Sequence, residues 1–194
     1  MRLLAVLCLL ACVPAARAQS AWGLASLMQS LAQVHAASAN FMEWQTDPML
    51  SAPLISTGTL TYAAPDYLRK TTLTPVPEIF TLDHGEVTLT GGNQGGPHVF
   101  ALRQDPRIAG LVEGLRATLA GDLPGLERFY DVTLNGSANA WQLHLRPKDP
   151  ALQRFLRAIT ISGSQGRISI IDTQSSDGGD SRMNIQPANV TDAP

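Results

Sequence analysis

Short stretches in which apolar and polar residues alternate follow one another from residue 40 to residue 186, separated by turn-forming residues. In residues 55–62, Leu60 and Tyr62 share one face of an extended chain, whereas Thr59 and Thr61 share the other. A period of two is typical of β-strands that turn one face toward a core. The pattern predicts strands over residues 40–46, 55–62, 68–73, 77–82, 86–90, 129–134, 140–146, 159–162, 167–173 and 181–186.

Two amphipathic helices are predicted outside the strands. The first covers residues 22–34, and the second begins at Asp105-Pro106, residue types that favour a helix start, and ends at Gly121. A third, short helical segment is predicted over residues 149–156. Helical spacing forms apolar stripes from Leu24, Leu27, Met28, Leu31 and Val34 in the first helix, and from Ile108, Leu111, Val112, Leu115 and Leu119 in the second.

Turn signals join the predicted strands into hairpins. They lie at residues 83–85, at Asn135-Gly136 and at residues 164–166. Neighbouring strands joined by short turns pair antiparallel, and the sequence has no strand–helix–strand alternation and no internal repeat. We therefore expect a mainly β (α+β) fold: an incomplete antiparallel β-barrel, a curled sheet of about ten strands, with helices covering an apolar concave face.

The first eighteen residues have the pattern of a signal peptide. A basic residue precedes an apolar run over residues 3–13, and Ala16-Arg17-Ala18 forms an A-x-A cleavage site. The run is shorter than the roughly twenty residues that span a bilayer. We expect cleavage after Ala18 and a periplasmic location; the alternatives are an uncleaved anchor or lipidation at Cys12 of a lipobox-like Leu9-Leu10-Ala11-Cys12.

The rest of the chain is cysteine-free and weakly acidic. Both cysteines, Cys8 and Cys12, lie in the leader. Loss of Arg2 and Arg17 from the 14 basic residues leaves 12 against 16 acidic ones. Nucleic-acid binding depends on clustered Lys and Arg, so it is disfavoured. The composition favours one monomeric domain over residues 19–186, followed by a flexible tail over residues 187–194.

Motifs of catalysis and metal binding are missing from the sequence. It contains no G-x-S-x-G elbow, no HExxH pair and no phosphate-binding loop pattern around the glycines of residues 91–97. The histidines and the aspartates near Gly178-Gly179 lack metal-site spacing: His35, His84, His98, His144, Asp172, Asp177 and Asp180. We expect no catalytic residue, no metal, no cofactor and no enzymatic activity.

Several local patterns, taken in order, are similar to those of the periplasmic outer-membrane lipoprotein carrier family, called LolA-like. Phe41-Met42-Glu43 resembles the F-x-[QE] of its first strand, and residues 58–62 resemble its G-x-L-x-[YFW] strand. Residues 65–69 resemble the P-[ND]-x-[LF]-R that follows. The hairpin of residues 77–85, the start of the central helix and residues 129–132 also fit, so the resemblance covers residues 20 to 186.

The resemblance implies a half-barrel whose helices form a lid over an apolar cavity. It also implies a carrier that shields lipoprotein acyl chains between an inner-membrane donor and an outer-membrane acceptor. The chain departs from the family at Ala64, where standard carriers have an arginine before the proline, and ends soon after its last predicted strand. These departures indicate a divergent member whose cargo is a lipoprotein or a related lipid or polyene.

Strand alternation identifies a set of candidate ligand contacts. If Phe41 faces inward, Glu43 does too, and a buried carboxylate needs a partner. Arg69 is either that partner or a surface residue. Glu43 and Arg69 are the candidate polar contacts, and an inward Glu43 would contact the head group of a ligand. The apolar cavity candidates are Phe41, Leu60, Tyr62, Leu68, Ile79, Leu111 and Leu115. An ordinary packed core would produce the same pattern, and the alternative functions are a non-catalytic envelope assembly or scaffold factor, or a periplasmic hydrolase.

Overall fold

A computed structural model describes residues 22–49, 51–92, 96–104 and 106–188 of the chain. The predicted leader with both cysteines, the middle of the glycine loop, Asp105 and the last six residues of the predicted tail lie outside this described part.

One antiparallel sheet of eleven strands forms the frame of the described chain. Its strand order is β6-β5-β4-β3-β2-β1-β11-β10-β9-β8-β7, and the curled sheet does not close into a barrel. The strands are β1 (Ala36–Thr46), β2 (Leu54–Ala63), β3 (Tyr67–Thr74), β4 (Glu78–Asp83), β5 (Glu86–Gly91), β6 (His98–Ala101), β7 (Tyr130–Ser137), β8 (Ala140–Pro147), β9 (Leu156–Ser164), β10 (Arg167–Ser175) and β11 (Asp180–Pro187). The predicted fold class is confirmed.

The two halves of the chain meet at the centre of the sheet. Consecutive strands pair from β1 to β6 and from β7 to β11, and β1 then pairs with β11, placing Phe41 opposite Ile185. The first and last strands are therefore neighbours in the middle of the sheet. β6, which has only four residues, was not predicted, because so short a stretch after the glycine loop carries little periodicity.

The hairpin turns follow the sequence signals in two cases and depart from them in one. His84 and Gly85 turn between β4 and β5 with positive φ angles of 48° and 77°. The prediction of a turn at Asn135-Gly136 is wrong: β7 continues to Ser137. Gly136 lies within the strand at a φ of 95°, and an added Cβ would overlap the carbonyl oxygen of Ala140. A glycine there accommodates a close backbone approach within the strand.

The helices of the described chain pack against one side of the sheet, which we call the inner face. They are α1 (Leu24–Ala32), α2 (Pro106–Leu119), α3 (Leu123–Phe129) and α4 (Pro150–Gln153), with a 3-10 turn at Leu102–Gln104. α3 was not predicted, although its N-terminal signal is present. The Asp122 carboxylate accepts a hydrogen bond of 2.9 Å from the Gly125 backbone N–H, which caps the helix.

In the described part of the chain, two separate apolar cores lie between the helices and the sheet. The large core joins α1 and α3 to β7–β9 and includes Leu31, Leu126 and Trp141. The small core, Leu82, Val87, Leu102 and Val112, joins α2 to β4 and β5. Among the sheet residues that pack against the large core are two from β10, and among those that pack against the small core are residues of β3 and β6. The central strands β11, β1 and β2 therefore separate the two cores.

α2 crosses from one core to the other. Val112 belongs to the small core, whereas Ala117 belongs to the large one. Gly114 allows a close approach, because an added Cβ would lie 2.9 Å from the ring of Tyr130. The Tyr130 hydroxyl donates a hydrogen bond of 2.6 Å to the carbonyl oxygen of Gly110. This bond ties the middle of α2 to β7 at the edge of the sheet.

Candidate functional site

An apolar strip runs along the inner face of the central strands, between the two cores. The register places Phe41 opposite Gly58 and Ile185, and Leu60 opposite Ala39. Phe41 and Tyr62 are buried, and the others are half-buried. We call this set the central strip: Ala39, Phe41, Leu60, Tyr62, Met183 and Ile185. None of these six described residues belongs to either core, whereas α2 has residues in both. The strip is therefore a set of apolar side chains between the two cores that neither core includes.

A half-buried ion pair lies at one end of the strip. Glu43 lies on the inner face, as strand alternation predicts, opposite Ser56 and Met183. Lys70 donates a hydrogen bond of 2.5 Å from Nζ to Glu43 Oε2. Its ammonium lies 5.0 Å from the centre of the Phe41 ring, within reach of a cation–π attraction. We call Glu43 and Lys70, together with Ser181, the polar end of the strip.

Glu43 is held in its ionised form. Burial acts to raise the pKa of this carboxyl, but the charge of Lys70 and the hydrogen bonds around it outweigh burial and leave the pKa below its ordinary value. Ser181 donates to Oε1 at 2.6 Å, and Ser56 donates weakly to Oε2 at 3.5 Å. The polar end therefore carries one negative and one positive charge at neutral pH.

Tyr62 lies at the other end of the strip. Its side chain is 4% exposed, and its hydroxyl has no hydrogen-bond partner in the described chain. Burial raises the pKa of this hydroxyl, while the positive charge of Arg116 on α2 acts in the opposite direction. Arg116 is itself paired with Glu113 at 2.8 Å and with Asp122 at 3.6 Å. An unpaired buried hydroxyl therefore lies within the electrostatic influence of a cation on the covering helix.

Removal of that hydroxyl provides a stability test. We expect Tyr62→Phe to leave the free energy of unfolding unchanged or to raise it by about 1 kcal/mol, because the buried O–H has no protein partner to lose. The matched change Tyr130→Phe removes a formed hydrogen bond and is expected to lower the free energy by about 1 kcal/mol. Urea unfolding of both variants measures the difference. A loss in Tyr62→Phe as large as in Tyr130→Phe would contradict the unpaired assignment.

The apolar residues predicted from the sequence as ligand contacts lie in different parts of the structure. Phe41, Leu60 and Tyr62 lie in the central strip. Leu68 lies at the edge of the small core, and Leu111 and Leu115 pack against the large core.

Ile79 does not share the face of the strip. It lies opposite Thr71 in the register, whereas its neighbour Phe80 lies opposite Lys70 and packs against the small core. Because side chains alternate along a strand, Ile79 is on the outer face of the sheet. Ile79 and Phe80 are adjacent and both apolar, so the sequence alone does not show which of the two faces inward.

Arg69 is not the partner of Glu43. Its side chain is exposed, and its Nε donates to Thr71 Oγ1 at 3.3 Å. The partner is Lys70, which sequence reasoning missed. The signal was available, because Lys70 follows Leu68 by two residues and therefore shares its inner face. No local sequence pattern indicates that β11 contributes to the site, because its contribution depends on the pairing of strands far apart in sequence. The residues it contributes are Ser181, Met183 and Ile185.

The outer face of the central strands also carries a pocket. It has a volume of about 380 Å³, and Phe41 and Gly58 are among the residues that line it. Its walls include Met42, Trp44 and Leu73, of which Met42 and Leu73 are 43% and 57% exposed. Apart from Phe41, none of the residues that line this pocket belongs to the central strip.

Two observations concern other kinds of site. No group of three or more His, Cys, Asp or Glu side chains in the described ranges is placed to hold a metal ion. None of the helices in that same part of the chain is long and apolar enough to cross a membrane.

Known proteins of similar fold are distant in sequence. A LolA superfamily protein of Nitrosomonas europaea has a TM-score of 0.43 and 9% identity, covering 88% of this chain and 96% of its own. A DUF1329 family protein of Desulfovibrio piger has a TM-score of 0.46 and 9% identity, covering 88% and 92%. MucB in the Pseudomonas aeruginosa MucA/MucB complex has a TM-score of 0.46 and 16% identity, covering 88% and 58%. No curated protein matches this chain in sequence.

The sequence itself matches one family over most of its length. The model of the family described as outer membrane lipoprotein carrier protein LolA-like matches residues 15–193. This range contains every strand and helix of the described chain, together with the central strip and its polar end. The chain therefore belongs to the outer membrane lipoprotein carrier protein LolA-like family.

Proposed function

We propose that this protein is a periplasmic carrier that holds an apolar, lipid-like ligand against the central strip and moves it toward the outer membrane. The observation that carries the proposal is the strip itself. Buried and half-buried apolar side chains on three adjacent strands belong to neither core, and α2 extends from one core to the other. Apolar side chains that belong to neither core become available to an apolar ligand when the covering helix moves aside.

The ligand contacts in this proposal are the strip residues Phe41, Leu60 and Tyr62, with Met183 and Ile185 added by the structure. An acyl chain gains about 0.8 kcal/mol for each CH₂ group removed from water, so a long chain needs an extended apolar surface. The strip provides such a surface, because it crosses β11, β1 and β2. Leu68, Leu111 and Leu115 would form the walls where the two cores begin.

α2 is the lid in this proposal. It crosses the strip and is attached at both cores, with the Tyr130–Gly110 hydrogen bond holding its middle. A ligand of the size of an acyl chain enters only if a covering element moves, as lids do in other binding proteins.

The proposed cellular location and partners are based on the family of the chain and on its predicted signal peptide. We propose that cleavage after Ala18 releases a single domain over residues 19–186 with a flexible tail, and that this domain acts as a monomer in the periplasm. Its cargo is the acyl part of a lipoprotein, or a related lipid or polyene. An inner-membrane donor and an outer-membrane acceptor are the partners that such a carrier needs.

Ligand binding tests the proposal directly. Native mass spectrometry of freshly purified protein is expected to show a co-purifying apolar mass, which identifies the cargo class. After delipidation, a fluorescent fatty acid is expected to bind in a saturable manner. The absence of both signals would refute the carrier function.

A pair of substitutions on opposite faces of the sheet locates the binding. We expect Leu60→Asp to weaken binding of the fluorescent fatty acid more than about tenfold, because a carboxylate in the strip must be desolvated when a chain covers it. Ile79→Asp is the matched control: it introduces the same group at a half-buried position on the outer face. Titrations of both variants, with circular dichroism to verify folding, compare the affinities. Equal affinities would contradict binding on the inner face.

A non-catalytic envelope assembly factor is the second candidate function. The exposed apolar side chains and the pocket on the outer face favour it, since exposed apolar patches mark interaction surfaces. The two functions differ in one measurement. An assembly factor would bind its partner without binding acyl ligands, and Met42→Ser would then weaken the partner complex while leaving the fatty acid titration unchanged.

A further inference from the structure

The polar end of the strip is where the head group of a bound amphiphile would lie. Glu43 is the next inward residue after Phe41 on β1, and it lies on the same face. Lys70 lies opposite Leu60 on the neighbouring strand β3, and its ammonium reaches Glu43 at this end of the row of apolar side chains. An acyl chain that covers the strip therefore brings its head group to this ion pair. This step rests on the proposed carrier function.

We infer that the Glu43–Lys70 pair selects a zwitterionic head group and rejects an anionic one. A lysine alone would attract any anion, but this lysine is neutralised by a carboxylate 2.5 Å away. An anionic head group that approaches Lys70 also approaches Glu43, and the repulsion cancels the attraction. In a zwitterionic head group, the phosphate would lie beside the Lys70 ammonium and the head-group ammonium beside the Glu43 carboxylate. Each of the four charges then has an opposite charge as its neighbour.

The pair has hydrogen-bonding capacity left for such a head group. An ammonium has three donors, and Lys70 Nζ uses one, to Glu43, among the described residues. Glu43 Oε1 accepts one hydrogen bond, from Ser181, and a carboxylate oxygen accepts two. Lys70 is 32% exposed and Glu43 15%, so the pair is reachable from the strip while still being partly desolvated.

The negative charge on Glu43 is lasting at neutral pH. Although burial opposes ionisation, Lys70 and the hydrogen bonds from two serines hold the pKa below its usual value. The head-group selectivity would therefore hold across the neutral range. It would disappear only in acid, where the carboxyl takes up a proton.

Two single-chain lipids with the same acyl chain test the inference on the full-length mature protein: lysophosphatidylethanolamine, which is zwitterionic, and lysophosphatidylglycerol, which is anionic. We expect the first to bind about tenfold more tightly than the second, the size of effect that one partly screened charge contact produces. Glu43→Gln leaves Lys70 without its counter-charge and is expected to reverse the order. Lys70→Met is expected to weaken the anionic lipid further.

Controls separate the pair from general charge effects. Lys148→Met removes the other lysine of the mature chain, which donates to the Glu127 carbonyl oxygen far from the strip, and is expected to keep the wild-type preference. If either single variant fails to fold, the double variant Glu43→Gln/Lys70→Met removes both charges together. It is expected to bind both lipids with equal affinity.

The outcomes distinguish the inference from the function on which it rests. Equal binding of both lipids by the wild type, or a preference that Glu43→Gln does not change, would overturn the head-group assignment and leave the carrier function standing. Monoacylglycerol that binds as tightly as the zwitterionic lipid would also overturn it, since no charge pairing would be needed. Failure of every lipid to bind would overturn the carrier function itself.

Discussion

Replacement of Trp141 by alanine is expected to lower the free energy of unfolding by about 3–5 kcal/mol, the range for loss of a large aromatic side chain from a core. Trp141 is 1% exposed and belongs to the large core under α1 and α3. Its indole N–H donates a hydrogen bond of 2.8 Å to the carbonyl oxygen of Gln165, which would lose this partner. Urea unfolding monitored by circular dichroism measures the change.

The geometry around Trp141 explains why the cavity would not close. The register places Trp141 opposite Gly163, where an added Cβ would lie 2.5 Å from the indole ring. The ring thus fills space that the backbones of β8 and β9 leave for it, and these paired strands cannot collapse inward. Trp44→Ala is the matched control, since Trp44 is half-buried on the outer face, and we expect a loss of about 1 kcal/mol. Equal losses in the two variants would contradict this assignment of the core.

Gly58→Ala is expected to lower the free energy of unfolding by about 3 kcal/mol, at the upper end of the range for overpacked sites. A Cβ at Gly58 would overlap the carbonyl oxygen of Thr71 on β3 and would lie 2.9 Å from the Phe41 ring. The carbonyl belongs to the backbone, so relief requires movement of β3 against β2 or displacement of Phe41. Either movement disturbs the central strip, and we expect fatty acid binding to weaken as well.

A second glycine provides the control for this substitution. A Cβ added at Gly96 would meet no heavy atom of the described chain within 4 Å beyond its immediate neighbours, and Gly96 has no positive φ angle. Gly96→Ala is therefore expected to change stability by less than about 0.5 kcal/mol. Thermal unfolding compares the two variants. A Gly58→Ala protein as stable as Gly96→Ala would show that β2 and β3 are less closely apposed than the structure has them.

Much of the local structure was predictable because the side-chain period is a local property. The helical stripe with Leu27 and Leu31 marks α1, and both residues are buried in the large core. The alternation around Leu60 marks β2 over nearly its full length. Two elements were not predicted because they are too short to show a recognisable period: β6 has four residues and α3 has seven.

The candidate site was predictable only in part, because a site combines elements that are distant in sequence. Phe41, Leu60 and Tyr62 could be identified as inward residues of neighbouring hairpin strands. Met183 and Ile185 could not, since they join the strip only because the last strand pairs with the first. No local pattern specifies that pairing.

The sequence by itself determined that this chain forms an antiparallel β-sheet with amphipathic helices, and that Glu43 shares a face with Phe41. These properties depend on residue spacing along one strand or helix. The tertiary structure alone decided that Lys70 rather than Arg69 pairs with Glu43, that Ile79 turns outward, and that two cores leave a strip between them. Strand order and register decide these points, because a shift of one residue moves every side chain to the opposite face.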